Sequence, residues 1–532
     1  MDTRKTNSGE TISTWMEVAP FSPLKNSAST TCDVCIVGAG IAGLSAAYHL
    51  VKAGKTVVVV DMGPVAGGQT GRTSAHLTWK ADEFFTNFEK HLGKEKTRLI
   101  AESHRSAIDR VEAICKDEKI DCDFARVDGF LFNNREVDEE HINNEFETLH
   151  KMGFQEVVLE DAVPNLYFTT GEAIRFPKQA QFHPIKYMNG LVRAIEKYGG
   201  QVYDQCIVKN IEDNPGKVTL CDGKIISADK IVVATNSPIN DRFAIHTKQA
   251  PYRTYVVGGQ IPKNSVPWAL YWDTEDPYHY VRVAPDEDSD IYDLLLIGGE
   301  DHKTGQDQDP KHCFENLKAW ALEHFPMIRS FSIQWSGQVW ESNDGLAFIG
   351  KNPGDQNTLI VTGDCGQGLT YGTIAGMMFV EMVNGRSHPW QELYDPSRTM
   401  FGSATEFLKE NLNVAWQYTD YLKPSQVNNL NEIERGEGAV ILKDFKKVAV
   451  YKNENGALTE VNAVCPHLGG IVHWNSVEKS WDCPCHGSRF AVDGHVITGP
   501  ALTGLEPIQD SEPYRPQPIS RKDLDFDNFQ SV

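Results

Sequence analysis

Two short segments near the end of the chain carry side chains that bind metals. The first reads CPH, from Cys465 to His467, and the second reads CPCH, from Cys483 to His486. The two segments are 15 residues apart, and each offers one thiolate and one imidazole. Two cysteines and two histidines can hold a 2Fe-2S cluster, with the thiolates on one iron and the imidazoles on the other. The same four ligands can also hold a zinc ion.

The residues around these ligands extend the pattern. CPHLGG and CPCHGSRF resemble the two cluster-binding loops of the Rieske iron-sulfur family, and residues 428–510 read as the short strands and turns of an all-β module. By this resemblance the module holds a Rieske 2Fe-2S cluster rather than zinc. The resemblance implies that two cysteines bind one iron and two histidines bind the other, namely Cys465 and Cys483, then His467 and His486.

Three further positions bear on the properties of such a cluster. Gly470 stands where respiratory Rieske proteins have a cysteine that bridges to the position of Cys485, so this chain cannot form that disulfide. Ser488 remains available as a donor to a cluster sulfur, but Phe490 stands where high-potential members have a tyrosine donor. Because fewer donors stabilise the reduced cluster less, the resemblance implies a reduction potential below the top of the Rieske range.

A second group of functional residues lies near the start of the chain, in CIVGAGIAG. Gly38, Gly40 and Gly43 form GxGxxG between an apolar strand and a helical run, and a second strand ends at Asp61. In such a unit the first glycine permits a tight turn, the second lets the backbone approach a pyrophosphate, and the third lets the helix pack on the strand. The helix N-terminus attracts phosphate, and Asp61 would bind an adenosine ribose hydroxyl. The sequence therefore predicts a site for NAD or FAD.

Another glycine loop favours FAD. The chain has only one GxGxxG, and LIVTGDCGQGLTYG, residues 359–372, places a glycine loop after a late strand. This loop resembles the segment that closes over the flavin in the D-amino-acid-oxidase-like FAD family. The matching positions are Asp364, Gly366, Gly368 and Thr370.

The resemblance to this family covers about residues 31–390. It implies an α/β fold, α+β overall, in which a Rossmann-like FAD domain is interleaved with a sheet-containing substrate domain. We therefore expect a flexible arm at 1–30, a discontinuous FAD domain at 31–80, 171–250 and 336–390, a substrate domain at 81–170 and 251–335, a linker at 391–427, the all-β Rieske domain at 428–510 and a tail at 511–532.

The two cofactors together imply a class of reaction. Flavins exchange one or two electrons and a Rieske cluster carries one, and the whole chain resembles bacterial fusions of a D-amino-acid-oxidase-like flavoprotein to a Rieske domain. We expect non-covalent FAD, dehydrogenation of a C–N bond in an amine or amino acid, and exchange of single electrons with an external donor or acceptor. The alternatives are a reductase that runs in the opposite direction and an electron carrier for a partner enzyme. A Rieske oxygenase fits poorly, because no spacing for a mononuclear iron triad is evident.

Candidate catalytic residues come from three segments. Gly68 opens a loop that resembles the one beside the flavin and that carries His76. In YWDTEDPYHYVRV, Tyr280 and Arg282 fall on one strand face, where the arginine could hold a substrate carboxylate. His302, in a polar loop after an apolar strand, is a candidate acid or base. Each also has an ordinary structural interpretation in sheet packing, capping or a solvated loop.

The composition restricts the partners. The chain has 532 residues, with 51 basic and 73 acidic side chains and a net charge of −22, so its surface should repel nucleic acid and anionic membranes. No apolar run is long enough to span a bilayer, and the polar N-terminal segment lacks the apolar core of a signal peptide. We therefore expect a cytoplasmic protein that binds neither nucleic acid nor membranes.

Overall fold

The computed structural model describes residues 9–19, 21, 29–133, 139–240, 245–307, 309–400, 413–414, 416–427 and 429–508. Within these residues the chain forms two large mixed sheets that carry helices, and two small antiparallel sheets near its C-terminal end. The expected α/β fold with a small all-β module is therefore confirmed. The expected tail at 511–532 and most of the expected arm at 1–30 lie outside the described residues.

The helices and strands have the following bounds. The helices are α1 (Ile41–Lys52), α2 (Phe85–Leu92), α3 (Lys94–Glu118), α4 (Glu139–Met152), α5 (Pro184–Lys197), α6 (Lys311–His324), α7 (Gly368–Val383) and α8 (Gln391–Tyr394). The strands are β1 (Thr30–Val37), β2 (Val57–Val60), β3 (His76–Leu77), β4 (Ala125–Phe132), β5 (Val158–Glu160), β6 (Ala173–Gln181), β7 (Gln201–Tyr203), β8 (Val208–Glu212), β9 (Lys217–Leu220), β10 (Ile225–Val233), β11 (Gln249–Pro262), β12 (Ala269–Asp273), β13 (His279–Pro285), β14 (Tyr292–Lys303), β15 (Phe331–Ser342), β16 (Phe348–Lys351), β17 (Thr358–Thr362), β18 (Glu437–Lys443), β19 (Lys446–Lys452), β20 (Leu458–Asn462), β21 (His473–Asn475), β22 (Ser480–Asp482), β23 (Arg489–Phe490) and β24 (Val496–Thr498). In the part of the chain described, no helix is both long and apolar enough to cross a membrane.

The first large sheet contains the predicted βαβ unit. Its strand order is β16-β17-β10-β1-β2-β7, and the β8–β9 hairpin joins it at β10. β1 lies parallel to β2 and β10, and β2, which reads VVVV, is buried throughout. Continuous β-branched runs are typical of parallel strands that are covered on both faces. Here the α1, α5 and α7 helices cover one face and the β8–β9 hairpin covers the other.

The second large sheet has the order β15-β11-β14-β13-β12-β4-β6-β3, with β5 paired to β6. Helix α6 packs on one face through Phe314 and Leu317, and the other face contributes Leu294 and Leu296 to the main core. β3 and β6 belong to this sheet, because β6 pairs with β4 and β3. The sequence analysis placed both strands in the FAD domain. Strands that pair across long stretches of sequence carry no local pattern that identifies their partner.

The C-terminal module consists of a three-stranded sheet, β18-β19-β20, and a four-stranded sheet, β21-β22-β23-β24. Its core includes Val440, Ala449, Trp481 and Phe490, all buried. The two predicted cluster loops extend from these sheets, one after β20 and the other between β22 and β23. Short antiparallel strands therefore hold both loops at one end of the module.

Part of the expected flexible arm is packed. Trp15 is buried, and its Nε1 donates to the carbonyl of Thr73 at 2.6 Å. Ser13 donates to the carbonyl of Gly71, and the Thr11 backbone N–H donates to Glu478 in the C-terminal module at 3.1 Å. Residues 9–19 thus contact both parts of the chain. The polar sequence of this segment gave no sign of these contacts.

A buried group of charges joins the C-terminal module to the rest of the protein. Glu478 accepts from Arg72 Nη1 at 2.9 Å and lies 3.5 Å from Arg253 Nη2, while Asp482 pairs with Arg489 at 3.1 Å. All five side chains are fully buried. Burial alone would raise the pKa of Glu478, but the three arginines outweigh it and lower the pKa to about 2. We call these residues the interdomain charge cluster.

Glu478→Ala tests the contribution of this cluster to stability. The change leaves Arg72 and Arg253 buried without their carboxylate, and removing one partner of a buried pair costs about 3–5 kcal/mol. Urea unfolding, with limited proteolysis between the modules, measures the loss. The control is Glu392→Ala, which breaks the exposed pair with Lys96 and should have a much smaller effect, because exposed ion pairs contribute little to stability. Equal effects of the two substitutions would contradict the assignment.

The same carboxylate makes the docked state sensitive to acid. Because the pKa of Glu478 falls from 4.5 to about 2 on folding, its contribution is complete above pH 4.5 and is lost as the pH drops toward 2. Wild-type protein should therefore lose stability across this interval more steeply than Glu478→Gln. Unfolding midpoints measured from pH 5 to pH 2 would show the difference, and parallel curves would refute it.

Candidate active site and cluster site

The GxGxxG turn has the geometry of a dinucleotide site. Gly38 has φ +111°, and a Cβ there would collide with the carbonyl of Ala234. A Cβ on Gly43 would collide with the carbonyl of Gly38, so this glycine allows α1 to pack on β1. A Cβ on Gly40 would meet only Thr70 Oγ1, at 3.1 Å, and would otherwise project into a cavity that Gly40 lines. The first and third glycines therefore serve the fold, and the second leaves space for a ligand.

Asp61 lies at the end of β2 on the same cavity. Its carboxylate accepts from the backbone N–H of Ala39 at 2.6 Å and from that of Gly63 at 2.9 Å. Burial raises its pKa to about 6, although the two backbone donors oppose the rise. A carboxylate fixed here retains acceptor capacity for a hydroxyl group, as the predicted ribose contact requires.

The second glycine loop lines the opposite wall of this cavity. Asp364, Gly366 and Gly368 all border it, and a Cβ on Gly366 would meet nothing within 4 Å. Asp364 Oδ1 is buried and has no hydrogen-bond partner among the described residues. Thr370 lies behind the wall, where its Oγ1 donates to the carbonyl of Thr78 at 3.3 Å. Three of the four predicted residues therefore face the cavity, and Thr370 supports it from behind.

Helices α1 and α7 both begin at the cavity. α1 follows Gly40 and α7 follows Gln367, and neither of these residues caps its helix with a side chain. The two helices cross closely, since a Cβ on Gly376 would lie 2.7 Å from the backbone of Ser45. The first amide of α1, that of Ile41, donates to Thr70 Oγ1 at 3.0 Å, and the two helix N-termini still present a partial positive charge to the cavity. This arrangement fits the pyrophosphate of FAD.

Aromatic side chains form the wall beside Gly68, which also lines the cavity. The His76 ring lies 5.6 Å from Tyr280 and 5.8 Å from Trp272. A Cβ on Gly298 would collide with the Tyr280 ring, so this glycine makes room for it. Burial and the charge of Arg282 lower the pKa of His76 to about 3, which keeps the imidazole neutral.

Carboxylates that the sequence analysis missed border the same region. Asp82, Asp301 and Glu341 line the cavity, and all three act electrostatically on Tyr278. Tyr278 donates to Asp301 Oδ2 at 2.9 Å, and burial raises the pKa of Asp301 to about 6. Regular strand alternation gave no usable signal here, because the register of β14 shifts opposite Arg253–Tyr255 and Glu300 has φ +57°. This irregularity turns Asp301 to the cavity and leaves the neighbouring His302 away from it.

Two of the predicted catalytic residues do not line this cavity. His302 interacts with Tyr255 Oη at 2.8 Å through Nε2 and with the Lys303 carbonyl at 3.0 Å through Nδ1. Arg282 donates to the carbonyl of Ala75 at 2.7 Å and borders a separate cleft. The structure therefore brings His76 and Tyr280 together at the cavity and leaves Arg282 and His302 outside it.

The two cluster loops have the same backbone design. The Cys465 N–H donates to the Gly470 carbonyl and the Cys483 N–H donates to the Ser488 carbonyl, both at 2.8 Å. In each loop the carbonyl of the cysteine accepts from a glycine four residues later, whose φ is +82° in the first loop and +66° in the second. Matching turns thus present one cysteine and one histidine from each loop.

The four predicted ligands meet at the end of the module. The His467 and His486 rings are 5.1 Å apart at 88°, and the thiols of Cys465 and Cys483 are within hydrogen-bonding reach of each other. A single zinc ion would gather all four ligand atoms around one point. Among the described residues, the groups of three ligand atoms within 4.8 Å of one another lie elsewhere. The spacing fits a two-iron cluster better than one zinc ion.

The neighbouring positions behave as the sequence indicated. A Cβ on Gly470 would lie 2.6 Å from Cys485 Sγ, so Cys485 faces a glycine and is a free thiol. Ser488 is buried, within reach of Cys465, and its Oγ accepts from the Ala501 N–H at 3.0 Å. Its own O–H is thereby directed at the thiolate side of the cluster. Phe490 is fully buried.

The cluster loops dock directly on the flavin-binding part. Gln338, which lines the cavity, donates from Nε2 to the Gly487 carbonyl at 2.9 Å. A Cβ on Gly499 would lie 3.1 Å from Ile239, and several residues between 496 and 502 also line the cavity. The module therefore forms part of the wall of the cavity in its own chain.

Gly40→Glu tests the assignment of the phosphate cradle. Because Gly40 has an ordinary φ and a Cβ there would meet only Thr70 Oγ1, the variant should fold, but its carboxylate would occupy the pyrophosphate site and repel the phosphates. We expect purified Gly40→Glu to lack flavin absorbance while keeping the visible spectrum of the iron-sulfur cluster. Gly40→Ala should retain a reduced share of flavin. Full flavin occupancy in Gly40→Glu would overturn the assignment.

Comparisons with known proteins agree with this geometry. Residues 33–382 match the FAD dependent oxidoreductase family (DAO), and residues 423–509 match the Rieske [2Fe-2S] domain. The chain is 30% identical over 486 residues to the putative Rieske 2Fe-2S iron-sulfur protein YhfW of Bacillus subtilis, covering 90% of this chain and 94% of that protein. It is 26% identical over 392 residues to gamma-glutamylputrescine oxidoreductase of Escherichia coli, covering 69% and 86% of the two chains.

Solved structures share the fold of the larger part. Glycine oxidase from Geobacillus kaustophilus superposes with a TM-score of 0.60 at 17% identity, over 70% of this chain and 99% of that one. L-proline dehydrogenase from P. horikoshii gives a TM-score of 0.58 at 17% identity, over 69% and 98%. The protein thus binds FAD and a 2Fe-2S cluster, and it belongs to the DAO family of FAD dependent oxidoreductases, to which it adds a C-terminal Rieske domain.

Proposed function

We propose that the protein dehydrogenates the C–N bond of an amine and releases the electrons one at a time through its Rieske domain. The observation that carries the proposal is the acidic wall of the cavity, formed by Asp82, Asp301 and Glu341. Carboxylates lower the free energy of a cationic ammonium group that enters a site of low dielectric constant. Among the described residues that line the cavity, the only cation is Arg72, and it pairs with Glu478.

The same wall favours an amine over an amino acid. An amino-acid substrate needs a partner for its carboxylate, usually an arginine. Arg282, the candidate for that role, instead donates to the carbonyls of Ala75 and Ser74. The name of the relative gamma-glutamylputrescine oxidoreductase refers to an amine derivative, which is consistent with a cationic substrate.

The side chains of the cavity support this chemistry in distinct ways. FAD, when bound, supplies the acceptor for a hydride equivalent, and the cluster, when bound, carries one electron at a time. Asp301, hydrogen-bonded to Tyr278, is placed to hold the ammonium group and to take its proton. His76 stays neutral, and Trp272 and Tyr280 keep water from the reacting carbon. The amine loses two electrons and two protons and becomes an imine, while an external one-electron acceptor is reduced twice.

The surroundings of the Cys365 thiol favour non-covalent over covalent binding of FAD. Its thiol lies 3.4 Å from Ser342 Oγ and 3.5 Å from the Gly363 carbonyl. Burial raises its pKa well above the ordinary value, so the reactive thiolate is suppressed. The cysteine lines the cavity but is held as a neutral thiol.

Asp301→Asn tests the proposed site, with anaerobic bleaching of the flavin by a panel of aliphatic amines and amino acids as the assay. Loss of the charge should raise the amine concentration for half-maximal bleaching by about tenfold to a hundredfold, since a hydrogen bond to a charged group contributes about 1.5–3 kcal/mol. Because the pKa of Asp301 is about 6, bleaching by wild type should increase as the pH rises through 6. The variant should lack that increase.

Glu300→Gln is the matched control. Glu300 precedes Asp301, but its carboxylate accepts from Asn316 at 2.9 Å and does not line the cavity. This variant should bleach as wild type does, at every pH. Bleaching by amino acids but not by amines would contradict the proposed substrate class. A flavin that no amine reduces, but that a reduced cluster reduces, would favour the reductase alternative.

A further inference from the structure

A histidine from the flavin-binding part sits against both histidine ligands of the Rieske domain. His246 precedes β11, and its ring centroid lies 5.0 Å from that of His467 and 5.8 Å from that of His486, edge to face in both cases. His246 is 3% exposed and His486 is also buried, whereas His467 is partly exposed. The side of the cluster that carries the histidines therefore faces the flavin-binding part of the same chain.

Trp340 continues this contact toward the flavin cavity. Its ring lies 6.4 Å from that of His246, and the side chain is fully buried. Its carbonyl accepts from the Cys365 N–H at 2.9 Å, and Cys365 belongs to the glycine loop that lines the cavity. The neighbours Val339 and Glu341 line the cavity directly. Trp340 thus connects His246 to the strand and the glycine loop that line the cavity.

We infer that His246 and Trp340 form the bridge through which single electrons cross between the flavin cavity and the Rieske cluster of one chain. The inference rests on the proposed function, because it assigns a route to the relay. Electron tunnelling weakens steeply with distance and with gaps in packing, and these two buried rings form a chain of contacts from the cavity-lining strand β15 to both predicted histidine ligands. Neither side chain lines the cavity, and neither is one of the four predicted cluster ligands.

A second contact runs beside this bridge. Gln338 lines the cavity and donates to the Gly487 carbonyl at 2.9 Å, and Gly487 follows the ligand His486. This contact holds the cluster loop against the wall and keeps the distance short. Neither Gln338 nor Gly487 places an aromatic ring between the cavity and the cluster. The rings of His246 and Trp340, 6.4 Å apart and tilted at 55°, therefore give the aromatic route, and Gln338 positions its far end.

Each crossing moves one electron and neither forms nor breaks a bond. Oxidation of one amine supplies two electrons, so two crossings are required. The cluster accepts one electron at a time and must pass the first to an external one-electron acceptor before it accepts the second. A change in the bridge should therefore slow the reoxidation of the flavin and leave the rate of substrate oxidation unchanged.

His246→Leu and Trp340→Leu test the bridge in the complete protein with both cofactors bound. The flavin is reduced photochemically under anaerobic conditions, so that no substrate is needed, and the reduction of the cluster is followed by its visible band. We expect each variant to slow this transfer by roughly tenfold or more while flavin content, the cluster EPR signal and the cluster potential stay as in wild type. A purely structural role would alter the EPR signal or the potential instead.

Trp79→Leu is the matched control. Trp79 is equally buried but donates to the Pro177 carbonyl, and it neither lines the cavity nor contacts the cluster loops. Its transfer rate should equal that of wild type. Wild-type rates in both bridge variants would overturn the inference and leave the proposed function intact. No transfer in wild type would overturn the proposed function itself.

If a leucine variant fails to bind the cluster, a more conservative variant tests the bridge instead. His246→Gln keeps a polar side chain but removes the ring that contacts His467 and His486. Slower transfer with an unchanged EPR signal would support the bridge. A wild-type rate in His246→Gln would count against it.

Discussion

The interdomain charge cluster determines how the two halves of this protein meet. Arg72 and Arg253 belong to the flavin-binding part, whereas Glu478, Asp482 and Arg489 belong to the Rieske domain. Buried charges tolerate little displacement, because separating them leaves an ion without its partner in a medium of low dielectric constant. The docked position of the Rieske domain is therefore narrowly defined. Without it, neither the cavity nor the contact around the cluster ligands would be complete.

The docked position has two consequences for the site. Residues near Ile497 close part of the cavity wall, so the Rieske domain helps to enclose the flavin site. The two predicted histidine ligands, His467 and His486, contact His246 of the flavin-binding part. This position suits the proposed exchange of electrons between the Rieske domain and the flavin of the same chain.

Local motifs made the cofactor sites predictable. The steric demands on Gly38 and Gly43, and the paired turns at Cys465 and Cys483, follow from residues close together in sequence. Features that depend on distant strands were not predictable. β6 belongs to the second sheet because it pairs with β4, and a local pattern carries no such information.

The candidate catalytic residues show that the sequence also could not predict which single side chains face the cavity. The sequence analysis favoured His302 because of its chemical type, but the phase of β14 directs Asp301 to the cavity. Arg282 shares a strand face with Tyr280, as expected, yet it lies farther along the strand and binds backbone carbonyls. The chemical types of the residues identified segments that border the cavity. Which side chains of those segments face the cavity depends on the register of the strands.

The most direct test of the account is the dependence of flavin-to-cluster electron transfer on protein concentration. After rapid photochemical reduction of the flavin in wild-type protein, the rate constant for cluster reduction is measured over a wide range of concentrations. A docked Rieske domain that serves its own flavin predicts one rate constant at every concentration. A rate that rises in proportion to concentration would mean that electrons pass between separate molecules, and it would contradict the account.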